Sequence, residues 1–309
     1  MATFADSPPS DPSLPDPTAP LIASGNLRRR ATVSRVISVL ATAAAAFAVA
    51  LLVDVAYTVI SKGAPAINFA FLTQNSSGLA GGGIANALLG TIVIVAFAAA
   101  IAVPIGVLTG LYLTEFAGPR SRVGNAMKLV LDLLQGLPTI IVGVVVYGLI
   151  VAGEHKETGF AGSIALAIVM LPMIARASQE VLLLVPGGLR EAADALGVER
   201  WRTVLSVILP AAAGGIVTGA ILAIARASGE TAPLLILDSL YNPSQTQLDI
   251  FGHGVPSIPM YIYTTYDLPT SSATARAWGA ALVLLTAILL ANVGARILLA
   301  RSRAKMGVR

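Results

Sequence analysis

The chain has 309 residues, of which 56% are hydrophobic and only 12% charged, and its mean hydropathy is +0.81. Soluble domains carry about 25% charge, so this composition excludes a water-soluble globular protein and points to an integral membrane protein. It is a helical one, because the apolar runs reach about 20 residues or more. With no cysteine, a disulfide framework and a thiolate metal site are excluded. The net charge of +4 gathers at helix ends, where membrane topology accounts for it without a nucleic-acid partner.

In chain order, residues 1–33 read as a cytoplasmic tail. Its first 25 residues are rich in Pro, Ser and Asp and are predicted to be disordered. It lacks the order of a signal peptide, because the acidic, proline-rich part precedes the basic group. Arg28, Arg29, Arg30 and Arg35 then anchor a first transmembrane helix over 34–61. Asp54, its only acid, lies near the outer end, close enough to the interface to stay wet.

Gly81, Gly82 and Gly83 give a flexible lead into a second span at about 86–112. There Pro104 predicts a kink, and Ala98, Ala99, Ala100, Gly106 and Gly110 predict close helix contact. A third span, about 127–151, holds Asp132, Gln135, Gly136 and Pro138. Its proline predicts a break, which either lines a cavity or merely kinks the helix for packing. The fourth span, about 162–184, carries Pro172, Arg176 and Glu180. The fifth, about 211–237, carries Arg226, Gly229 and Glu230. A long outer loop, 238–273, with Tyr261, Tyr263 and Tyr266, leads to a sixth span at about 275–299 and a basic cytoplasmic tail, 301–309. The two histidines, His155 and His253, both fall in loops.

Lys and Arg concentrate in the N-terminal tail, in the second-to-third connection (Arg120, Arg122, Lys128), in the fourth-to-fifth connection (Arg190, Arg200, Arg202) and in the C-terminal tail. The positive-inside rule therefore puts both termini and the fourth-to-fifth connection in the cytoplasm.

That connection is the one polar stretch between two apolar helices. Residues 190–210 read REAADALGVERWRTVLSVILP. Glu191, Ala192, Ala195 and Leu196 can share a helical face, and Gly197 can end the helix in a left-handed cap. Residues 198–208 predict a second short helix with Trp201, Val204, Leu205 and Ile208 on one side. On this pattern alone the segment is either an ordinary connector or a docking element.

Two spans share the pattern R-A-S-x-E, as Arg176 to Glu180 and Arg226 to Glu230. Each places Arg and Glu one turn apart. An arginine at mid-bilayer costs about 2.5–3.5 kcal/mol on insertion scales. Either each Arg is held by its own Glu as a structural pair, or the guanidinium groups face a wet path for an oxyanion, which their planar fork suits.

The spacing E-A-A, three residues, G, nine residues, V-I-L-P resembles the EAA loop of ABC-importer permeases. The run ARASGETAPLLIL resembles the R-A-x-G-E-T-A-P-L-L signature of PstA-type phosphate permeases. NALLGT, GLYLTEFA, LQGLPTIIVG, LPMIARASQE, LVPGGLREAADALG and VPSIPMYIYTTYDLP extend the likeness from about residue 80 to the C-terminus. The resemblance implies an all-α, six-helix, MetI-like permease domain over 82–300 in the cell membrane, with its coupling loop at 185–210. It implies that Glu191, Ala192, Ala193, Gly197, Leu209 and Pro210 serve coupling to an ATPase. It also implies that Arg176, Glu180, Arg226 and Glu230 line an anion path. The implied partners are a second, PstC-type permease, a dimeric PstB-type ATPase, an extracytoplasmic PstS-type phosphate-binding protein and membrane lipid; no metal, cofactor or nucleic acid is expected. No G-x-x-x-x-G-K-[ST] occurs in the chain, so ATP hydrolysis falls to a separate subunit. The alternatives are a permease for sulfate or molybdate and a stand-alone secondary anion transporter. An intramembrane hydrolase lacks a histidine base in any span.

Overall fold

A computed structural model describes residues 27–77, 81–118, 120–154, 156–239 and 245–305. The first 25 residues, expected to be disordered, His155 and the last four residues of the basic tail lie outside the described residues. Among the described residues all regular structure is helical, apart from one isolated bridge between Ser76 and Gly82. Five helices among the described residues are long and apolar enough to cross a membrane, or six crossings if a bent pair counts as one.

The chain divides after Tyr57 into two units. The first contains most of α1 (Leu27–Gly63), which starts inside the stretch expected to be tail. Its sequence is apolar around the whole circumference, as a lipid-embedded helix requires.

The second unit begins with α2 (Phe69–Thr73), capped by Asn68, whose side chain accepts a hydrogen bond from the Phe71 N–H at 2.8 Å. α3 (Ala85–Leu111) continues through a π-helical turn, Tyr112–Phe116. α4 (Arg122–Gly136) is followed by α5 (Thr139–Val146), which runs on as a π-helical turn to Val151. The two meet at 105°, so the third span is broken far more sharply than a kink. The cause is Pro138, which has no N–H to continue α4 and holds Leu137 in an extended conformation before starting α5.

α6 (Gly159–Leu183) is the central helix. It makes its most extensive contact with α3, through two glycines spaced one turn apart. A Cβ on Gly106 would stand 2.8 Å from the Ile174 side chain, and one on Gly110 would stand 2.7 Å from the Ala175 carbonyl oxygen. Small residues thus let the two backbones approach, as membrane helices need when no hydrophobic force pulls them together. Ile94, Ala98 and Ala102 of α3 interlock there with Leu166, Met170 and Ile174 of α6.

α7 (Gly187–Ala195) is the short helix of the polar connection. The second short helix expected at 198–208 does not exist as a separate element. Arg200–Ala227 form one long helix, α8, with a π-helical turn at Val204–Ile208. Pro210 explains the turn. It supplies no N–H, and the widened turn, in which the Leu209 N–H reaches back to the Val204 carbonyl, takes up the mismatch without breaking the helix.

The expected fifth span, 211–237, is likewise not one helix. α8 stops at Ala227, and α9 (Ala232–Leu237) starts anew with Pro233 in its first turn. The expected outer loop is only partly a loop. α10 (Ile258–Tyr266) folds inward, with Met260 and Tyr261 buried and the Ile258 N–H donating to Thr91 Oγ1 of α3 at 2.8 Å. Asp238 anchors the start of this segment by accepting from the Val255 N–H at 2.6 Å; its burial pushes its pKa well above the usual carboxylate range. α11 (Ser271–Lys305) closes the unit, and it makes the first part of the basic tail helical.

Gly106→Leu should overpack the α3–α6 contact and lower thermal stability in detergent by about 1–3 kcal/mol. Gly294→Ala on α11, where an added Cβ meets no atom within 4 Å, should leave it unchanged or slightly raised.

Candidate functional site

The two helix breaks face one another. Thr139, just after the α4–α5 break, donates to Glu230 in the α8–α9 break, and beside them lies a cavity of about 360 Å³ lined by Leu137 of the first break and by Arg226 from the last turn of α8. Gln135 and Thr139 come from one side, Arg226 from the other, and Pro172 and Met173 of α6 from the wall between. Broken helices at membrane depth expose backbone and polar side chains that lipid cannot satisfy, so they belong beside a wet cavity or inside protein.

Arg226 occupies the last turn of α8, and Glu230 lies in the break that follows. They form an ion pair at 3.8 Å, and Glu230 Oε2 also accepts from Thr139 Oγ1 at 3.3 Å. The Arg226 side chain is 62% exposed and that of Glu230 18%. The carboxylate is therefore held by the protein, while the guanidinium is loosely paired and open to the cavity.

Arg176 does not pair with Glu180. Its Nη2 binds Asp132 of α4, and its Nη1 donates to Gln179 at 3.3 Å, while Glu180 is exposed. An arginine one turn before an acid is the less favourable order on a helix. Asp132, presented by a second helix, offers a partner that also ties α4 to α6. Asp132 and Arg176 each lie one turn from a cavity-lining residue of their own helix, Gln135 and Pro172.

The 185–210 loop is the second candidate site. α7 ends in the left-handed cap expected of Gly197, at φ +69°. The Gly197 N–H donates to the Asp194 carbonyl at 3.0 Å, and the Val198 N–H to that of Ala193 at 3.1 Å. Ala193 is the residue of α7 that is buried; Glu191, Ala192 and Ala195 are exposed, and Leu196 is 81% exposed. The face expected on 198–208 is split. Val204 and Ile208 are buried against Leu111 and Leu182, whereas Trp201 and Leu205 are exposed. Leu209 packs at the edge of that cluster and Pro210 is exposed. The loop thus presents apolar side chains outward, away from the core that carries it.

Sequence reasoning missed the group that fastens this loop. Glu115, in the π-helical turn that ends α3, is 1% exposed, and Arg190 of α7 grips it. Arg190 Nη2 lies 2.6 Å from Oε1, and Nε is 3.2 Å from both oxygens. The same guanidinium donates to the Val185 and Leu182 carbonyls at 2.8 and 3.0 Å, and Arg200 of α8 stands 3.9 Å from Oε2. The hydrogen bonds that Arg190 donates to Glu115 raise its pKa against the opposing effect of burial. The available signal was a lone acid closing an apolar span, with an arginine in the polar loop.

Comparison with known proteins adds the context. Residues 102–304 match the family described as binding-protein-dependent transport system inner membrane component. The phosphate transport system permease protein PstA of Yersinia pestis is 34% identical over 272 residues, covering 87% of this chain and 91% of that protein. PstA 1 of Mycobacterium tuberculosis (strain CDC 1551 / Oshkosh) is 40% identical over 215 residues, 69% of each chain. In fold, the chain resembles a bacterial alginate ABC transporter with TM-score 0.59 at 13% identity, covering 92% of this chain and 99% of that one. It also resembles the inward-facing MetNI methionine ABC transporter with TM-score 0.53 at 20% identity, covering 71% and 94%.

Gly197→Val should strain the cap by about 1–2 kcal/mol, because a side chain disfavours the left-handed region even where space is open. Amide exchange at Gly197 and Val198 should then speed up by about tenfold, with α6 unaffected; equal protection in both proteins would show that the cap does not depend on glycine.

Proposed function

The chain belongs to the binding-protein-dependent transport system inner membrane components, as a PstA-type permease, and from that membership we propose that it forms one half of a phosphate path driven by ATP. The observation that carries the reading is the Arg226–Glu230–Thr139 group at the facing helix breaks. The relatives' names specify phosphate, and a planar guanidinium open to a wet cavity suits a tetrahedral oxyanion.

On this reading phosphate takes the place of Glu230 on the Arg226 fork. Glu230 keeps its hydrogen bond to Thr139 while displaced, so its charge is not left bare in a low-dielectric site. Its nearby negative charge also keeps the anion from binding too tightly to leave. Arg176, held by Asp132, provides a second station, and Glu180 stays at the rim. The stations act in sequence rather than as one cage.

The basic loops and termini face the cytoplasm in this proposal. The apolar side chains that the 185–210 loop turns outward, Leu196 and Trp201 among them, then dock in a separate PstB-type ATPase dimer. A PstC-type permease completes the path, and a PstS-type binding protein delivers phosphate at the opposite face. The chain has no nucleotide-binding loop, so its own part is conduction and coupling.

Uptake by the assembled complex, measured together with membrane abundance, tests the role of Arg226. Arg226→Lys keeps the charge but loses the fork and should lower phosphate uptake about tenfold. Arg226→Gln should lower it about a hundredfold, the equivalent of about 3 kcal/mol for hydrogen bonds to a charged group. Glu230→Gln should change uptake at unchanged abundance. If Arg226→Gln transports phosphate at the parental rate, Arg226 is not on the path.

A further inference from the structure

We propose that Glu115 is the pin through which the 185–210 loop moves the membrane helices: a positioning residue for transport that touches neither phosphate nor ATP. The inference rests on the reading that this loop meets the ATPase, and it adds how the displacement passes inward.

Glu115 is a carboxylate buried to 1% exposure at the junction of three elements. It sits in the π-helical turn at the end of α3. Arg190 binds it from α7 with two nitrogens and uses its remaining reach for the Leu182 and Val185 carbonyls at the end of α6. Arg200 approaches it from the first turn of α8, at 3.9 Å. One guanidinium therefore fastens the loop helix to the ends of both α3 and α6, the two helices that pack most extensively in the unit.

The physics makes this joint stiff. Guanidinium and carboxylate form parallel hydrogen bonds in a fixed plane, so rotation of one carries the other. A buried charge stripped of its partner is strongly destabilising. When the loop shifts, Glu115 must follow Arg190 instead of parting from it. The compliance lies beside the joint. Glu115 is itself inside one π-helical turn, and a second, Val204–Ile208, begins shortly after Arg200. Such widened turns interrupt the regular ladder and recur at functional sites. α3 and α8 both border the apolar cluster of Leu111, Leu182 and Ile208 that the loop covers, so movement at the joint reaches both helices.

The test uses the complete complex, with its ATPase, partner permease and binding protein, in proteoliposomes. Glu115→Gln removes the charge. The double variant Glu115→Leu with Arg190→Met replaces the ion pair by apolar side chains, an exchange that buried pairs often tolerate without loss of stability. This chain has no cysteine of its own, so with partner subunits freed of accessible cysteine, spin labels at Leu108→Cys and Leu222→Cys report the α3–α8 distance. Two quantities are read: phosphate imported per ATP hydrolysed, and the ATP-driven change in that distance. The double variant should assemble and hydrolyse ATP, while import per ATP falls about tenfold, within the usual range of coupling between sites, and the distance change is lost. Parental values of both quantities in the double variant would overturn the proposal. So would failure of the double variant to assemble, since the pair would then serve only to hold the fold. A labelled parent complex that shows the distance change but imports no phosphate would instead count against the substrate reading, and the pin would still be judged on the distance. If Glu115→Gln alone fails to assemble, the double variant decides.

Discussion

At three polar sites of this apolar chain a charge is answered by a charge from another element. Asp132 of α4 meets Arg176 of α6, Glu115 at the end of α3 meets Arg190 of α7, and Glu230, beyond the end of α8, turns back to Arg226. Lipid offers no alternative partner, so each pair links the two elements that carry it. The pairs also differ in how completely they are closed. Glu115 is sealed and multiply bonded, as suits a mechanical joint. Arg226 is loosely paired and open, as suits a group that exchanges partners.

The open pair exists because two helices stop short. Because α8 ends at Ala227, Glu230 lies in the break that follows, where it meets both Arg226 and Thr139. α5 turns away from α4 by 105°, and Gln135 and Thr139, on either side of that bend, both line the cavity. Pro138 and Pro233 each forbid continuation at the place where the polar residues gather. The glycines that bring α3 against α6 act in the opposite sense, letting two uninterrupted helices come close enough to form a rigid wall.

The crossings were readable from hydropathy, because a bilayer sets the length of an apolar run. The break at Pro138 was readable because proline cannot extend a helix. The break after Ala227 was not, since Ala232 to Leu237 continue the apolar run and hydropathy does not register a change of direction. The inward fold of α10 was hidden for a related reason: prolines and tyrosines read as loop until Thr91 and α3 are there to bury them. The contact between Arg226 and Glu230 was readable from their spacing. The same spacing does not reveal the partner of Arg176, Asp132, which lies 44 residues away. Glu115 and Arg190, 75 residues apart, could be joined only in three dimensions.

The account stands on the cavity between the two helix breaks being a water-filled station for phosphate. Gln135→Cys would be the sole thiol of the chain and lines that cavity beside Arg226. The direct measurement is its rate of modification by a small charged methanethiosulfonate in the assembled complex, with and without phosphate or sulfate. The account predicts ready modification that phosphate slows and sulfate does not. A thiol that is inert to the reagent, or that reacts at one rate whatever the anion, would contradict it.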